Sequence, residues 1–151
     1  MKCIRQQGGF GLIEALLALF ILTIGILGVA GLQTQGMRSS NMALQRTIVV
    51  MKTQEIIERM RANKESLVSY AGGAADGSCN TSGTVCSGAT LAAHDLYLWQ
   101  TELNRVLPSV TNTDIVVTPP GVATEPSTVS ITTTWSDRED DNLTYSVTVR
   151  I

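Results

Sequence analysis

Four groups of residues in this chain have types and spacings suited to chemistry. The first is Gln7-Gly8-Gly9-Phe10-Gly11-Leu12-Ile13-Glu14, which follows a short leader carrying Lys2 and Arg5. Cleavage between Gly9 and Phe10 would leave a new amine on Phe10, a natural counter-charge for the Glu14 carboxylate. Phe10 to Leu32 is 23 residues long with Glu14 as its only charge, and about 20 apolar residues suffice to cross a bilayer core. A carboxylate inside such a segment is costly and points to a function. Close to the interface, where water still reaches it, its cost falls below the ~3 kcal/mol expected at midplane.

The second group is Cys79 and Cys86, which flank a polar hexapeptide. If oxidised, they close a short loop, and chain entropy gives about 2.5 kcal/mol of stabilisation. A membrane anchor with an oxidising compartment beyond it favours the disulfide over two free thiols. A metal site has too few ligands, since His94 is the only histidine and structural zinc needs four. The third is His94-Asp95; adjacent helical residues do not face each other, and no nucleophile motif or phosphate loop accompanies them. An enzyme is not expected, nor any cofactor. The fourth is the acidic run Asp137, Glu139, Asp140 and Asp141, which does not match calcium-loop spacing and reads as a solvated hairpin tip. Asn80-Thr81-Ser82 and Asn142-Leu143-Thr144 fit the glycosylation sequon.

These residues need elements to position them. Net charge is −2 and no basic block occurs, so nothing points to nucleic acid. Lys2 and Arg5 precede the apolar segment, while Arg38, Arg46 and Lys52 follow it, so charge alone does not fix orientation. No proline interrupts the chain before Pro108. Apolar residues recur at Met37, Leu44, Ile48, Met51, Ile56, Met60 and Leu67, in steps read as one helical face. Glu55–Arg59 and Arg61–Glu65 are i,i+4 pairs assigned to the solvated side. One helix is therefore expected from about residue 10 to 66, roughly 85 Å long. Gly25, Gly28 and Gly31 within it suit either close helix approach or a local weak point.

A Gly/Ser/Ala-rich loop covers 71–90, and an amphipathic helix is expected over Ala92–Leu107 with Leu96, Trp99, Leu103 and Val106 on one face. Ile115–Val117 reads as a short strand. Val129, Ile131, Thr133 and Trp135, then Leu143, Tyr145, Val147, Val149 and Ile151, alternate with polar residues and predict an antiparallel hairpin with one apolar face. The fold class is α+β. The first half of the long helix spans the membrane, and its second half packs on a small antiparallel sheet.

Gly9 to Glu14 resembles the type IV prepilin signature, with Gly11 where threonine is usual. Ile24 to Gln33, Glu58-Arg59-Met60-Arg61-Ala62-Asn63, Asp95 through Pro108 with Trp99, and Trp135-Ser136-Asp137-Arg138 are similar to segments of the PilV family of minor pilins. The resemblance implies a type IV pilin-like fold: a cytoplasmic leader 1–9, a transmembrane and assembly helix 10–32, and a periplasmic globular domain 33–151. It also implies cleavage after Gly9 and N-methylation of Phe10 by prepilin peptidase, with Glu14 pairing the Phe10 amine of a neighbouring subunit. The implied partners are the inner-membrane pilus assembly platform, other minor pilins, the major pilin and a tip adhesin. The implied role is priming pilus assembly at or near the tip. Two alternatives stay open. One is a type II secretion pseudopilin. The other is a secreted periplasmic binding domain, released by ordinary signal peptidase at Gly28-Val29-Ala30 and starting at Gly31.

Overall fold

The computed structural model describes residues 11–121, 125–136 and 142–151. Helix α1 runs Leu12–Ala62 without interruption, as a proline-free sequence rich in straight-chain apolar residues allows. The chain divides into two compact units, one ending at Asn41 and the other running Met42–Ile151. In the first unit α1 buries nothing: Leu12, Leu16, Phe20 and Leu27 are all more than half exposed. Among the described residues, all the buried ones belong to the second unit.

There α1 presents Val49, Thr53, Ile56, Ile57 and Met60 to the core, while Leu44 and Met51 are exposed and Ile48 is half-buried; Met37, in the first unit, is exposed as well. The expected single stripe is thus two stripes. The five-residue step from Met51 to Ile56 turns the position by roughly 140° around a helix of 3.6 residues per turn. The upper run therefore faces away from the core that the lower run fills.

The long helix also stops sooner than expected. Asn63 leaves helical geometry (φ −119°, ψ 41°), and a 3-10 helix follows over Lys64–Ala71. That helix is two shorter pieces meeting at Ser66 (φ −110°, ψ 25°), in keeping with the poor persistence of 3-10 geometry. Its three-residue period puts Leu67 and Tyr70 on one side, and both are buried. With the α-helix ended at Ala62, Arg61 and Glu65 lose their i,i+4 relation, and Arg61 pairs with Glu58 at 2.6 Å.

Helix α2 spans Gly88–Val106, starting four residues before the expected Ala92. Ser87 is the reason: its side chain accepts from the Thr90 amide as an N-cap. Ala92, Leu96, Trp99 and Leu103 are buried, but Val106 is 37 % exposed and Leu107, just past the helix, takes the core position. Gly88 is required where α2 meets the end of α1, because a Cβ there would run into the Ser66 hydroxyl and Asn63 Oδ1.

Strands β1 (Val110–Thr118), β2 (Thr128–Ser136) and β3 (Asn142–Arg150) form one antiparallel sheet in the order β1-β2-β3. The expected hairpin is β2–β3, with Ser136 opposite Asn142. The expected short strand is the C-terminal part of a longer β1, extended toward its N-terminus by pairing with β2 and bulged between Val110 and Asn112. Val129, Ile131, Thr133 and Trp135 of central β2 are all fully buried. They share one core with the lower face of α1 and with α2.

Candidate functional site

Glu14 lies in the first turn of α1, where its amide donates to the Gly11 carbonyl at 3.0 Å. A carboxylate there also faces the positive end of the helix dipole. Its side chain is exposed, as are those around it. Gly9 and Phe10 lie outside the described residues, so the junction and its amine are known from sequence alone. Gly25, Gly28, Gly31 and Gly36 each have open space where a Cβ would stand, leaving shallow spots along a wholly uncovered apolar helix.

A second constellation lies where α1, the 3-10 helix and α2 converge. Arg59, assigned from sequence to the solvated side, is only about one-third exposed. It donates to Glu55 Oε1 at 2.8 Å and to Asp95 Oδ1 at 2.9 Å. The Tyr70 hydroxyl donates to the other oxygen of Asp95 at 2.7 Å. Asn63, which ends α1, donates its amide to the Gly88 carbonyl at 2.8 Å at the first residue of α2.

The protonation of these groups follows from the geometry. Burial works against the Arg59 cation, but its bonds to Asp95 and Glu55 outweigh that and hold its pKa above the ordinary value. Burial pushes the Tyr70 hydroxyl well above its usual range, and its bond to Asp95 adds to this. Glu55 is lowered chiefly by its hydrogen bond from Lys52 and then by Arg59. Two indoles hold α1 further toward its N-terminus. Trp99 donates to the Lys52 carbonyl at 3.0 Å and Trp135 to Gln45 Oε1 at 3.1 Å, so both large rings are buried with their N–H groups satisfied.

The segments that carried the family resemblance meet here: Arg59, Met60 and Asn63 from one, Asp95 and Trp99 from another. Tyr70 and Gln45 were not anticipated. The signal for Gln45 was that a buried indole requires an acceptor; for Tyr70, nothing local marks it as the partner of an acid 25 residues on.

Cys79 and Cys86 are joined by a disulfide with Cα atoms 5.8 Å apart. Gly83 within the loop has φ +87°, a conformation open to glycine at little cost. The segment leading into it is held on α2 by a backbone bond from the Ala75 amide to the Ala93 carbonyl at 3.0 Å. His94 is 3 % exposed and turns away from Asp95. Its Nδ1 lies 3.2 Å from Asp76 Oδ1, but the alignment is too poor for a hydrogen bond. The acidic run 137–141 lies outside the described residues.

Residues 4–30 match the family described as the prokaryotic N-terminal methylation motif. No curated protein and no solved structure matches the chain. The motif supports a type IV pilin or pseudopilin-family protein. It implies processing by prepilin peptidase and a membrane-associated pilus system. With the exposed apolar stretch of α1, it fits a membrane-anchored protein.

Proposed function

We propose that the chain is a minor pilin of the PilV type, which helps to prime type IV pilus assembly at or near the tip. It acts as an assembly subunit and not as an enzyme. The observation that carries this reading is the coincidence of the methylation motif with Glu14, the one carboxylate of the uncovered apolar stretch that forms the first part of α1. Prepilin peptidase cleaves after Gly9 and methylates the Phe10 amine. That amine then pairs with Glu14 of a neighbouring subunit as helices pass from lipid into the filament. Lipid and a bundle of apolar helices are similarly apolar, so the transfer loses little, and the polar pair sets the register. The globular domain faces the periplasm and then the cell surface, where it meets other minor pilins, the major pilin and a tip adhesin. The commitment of Asp95 to Arg59 and Tyr70 rather than to His94 supports a scaffolding role for the joint.

The test is Glu14→Gln. Membrane insertion and cleavage after Gly9 should persist, while recovery in sheared filaments falls. A buried amine left without its counter-charge costs roughly 3–5 kcal/mol. Normal incorporation of the variant would refute the pairing. Loss of exoprotein secretion, with surface pili intact, on deleting the chain would assign it to type II secretion instead.

A further inference from the structure

The outer edge of β3 is built to be paired. Ser127 and Ile151 exchange both backbone hydrogen bonds, each at 2.9 Å, which makes them a hydrogen-bonded pair of the β2–β3 ladder. Such pairs alternate along antiparallel strands with non-hydrogen-bonded ones. In the observed register the odd-numbered residues of β3 therefore turn their N–H and C=O groups toward β2. Asn142, Thr144, Ser146, Thr148 and Arg150 turn theirs outward. The side chains agree: non-hydrogen-bonded pairs bring side chains close, and Ser130 meets Thr148 at 2.9 Å and Thr132 meets Ser146 at 3.0 Å.

Among the described residues, β2 is the only strand beside β3, whereas β1 packs against the 3-10 helix and α2. The inner row of β2 is fully buried, but Leu143, Tyr145, Val147 and Val149 of β3 are only half-buried, so the apolar layer continues to the edge. The usual guards of an edge strand, namely lysine, proline or an inward-pointing charge, are missing from Asn142–Arg150. Its one charge is Arg150, at the end.

We propose that this edge accepts an antiparallel β-strand from a different chain, extending the sheet by strand addition. The incoming strand alternates apolar residues, which complete the half-covered inner row, with hydroxyl residues, which continue the Ser/Thr rungs. It places a carboxylate opposite Arg150. A second copy paired through the same edge does not supply that counter-charge, because Asn142–Arg150 holds no carboxylate side chain.

The test uses the full chain in detergent micelles. The probe is a synthetic peptide as long as β3, alternating valine and threonine, with glutamate at its N-terminal end. Residue-resolved amide exchange should slow at Asn142, Thr144, Ser146, Thr148 and Arg150. Ser146→Pro removes an outward N–H and no backbone ladder bond, giving up only the exposed hydroxyl contact with Thr132, so it should still fold cooperatively and bind the peptide roughly tenfold more weakly. A backbone N-methylated peptide should be weakened equally by the wild-type chain, which covers the case of a misfolded variant. No slowing, or equal binding by Ser146→Pro and of the N-methylated peptide, overturns the proposal. So does a chain already dimeric without peptide and slow at those five amides, which would assign the edge to a second copy.

Discussion

Replacing Asp95 with alanine isolates the joint that holds α1, the 3-10 helix and α2 together. Asp95 is 7 % exposed and accepts charge-assisted bonds from Arg59 at 2.9 Å and from Tyr70 at 2.7 Å. Breaking a fully buried pair costs about 3–5 kcal/mol because an uncompensated charge is left behind. Here the charge left is Arg59, one-third exposed and still bonded to Glu55, which reduces the cost. The Tyr70 hydroxyl has the Arg59 carbonyl 3.4 Å away as a poorer acceptor. The expected loss is therefore about 2–3 kcal/mol. Among the described residues every buried one lies at Val49 or beyond, so a fragment beginning at Gln33 keeps the core and should fold without the apolar half of α1. Urea titration of that fragment, with wild type and variant showing equal m-values, reads the difference as stability. A loss below about 1 kcal/mol would show a solvent-exchanged surface pair worth no more than exposed ion pairs generally are, and would refute the joint.

Two further outcomes follow from the same geometry. The raised pKa of Tyr70 means that the folded state favours its neutral form, so its stabilisation is fully present below the ordinary tyrosine pKa of ~10 and is lost as pH rises beyond it. Tyr70→Phe should remove that alkaline loss, and denaturation midpoints measured across the alkaline range with unchanged slopes would contradict the assignment. Trp135→Ala should cost about 3–5 kcal/mol, since the ring is 1 % exposed and its N–H is held by Gln45; a loss below about 1 kcal/mol in a denaturant titration would contradict its place in the core.

The fold was legible where periodicity is strong. The alternation of β2 and β3 located the hairpin and its buried face, and the absence of proline before Pro108 foretold one long helix. The face of that helix was misread because apolar residues occur on two sides of it. Only the sheet decides that the side bearing Val49, Ile56 and Met60 is buried. The end of α1 was missed because Asn63 stops the helix through the Gly88 carbonyl, 25 residues away in sequence. Arg59 looked like half of a surface pair because its second partner, Asp95, is 36 residues distant. The Gly9-Phe10…Glu14 constellation is the reverse case: it lies within the methylation motif matched over residues 4–30, and under the proposed function a peptidase and a membrane read it locally.

The most direct test of the central claim is the intact mass of the chain recovered from membranes of cells with an active prepilin peptidase. Processing as a pilin predicts an N-terminus at Phe10 carrying one added methyl group, without Cys3 and with Cys79 and Cys86 oxidised. An N-terminus at Met1, or at Gly31, would contradict it.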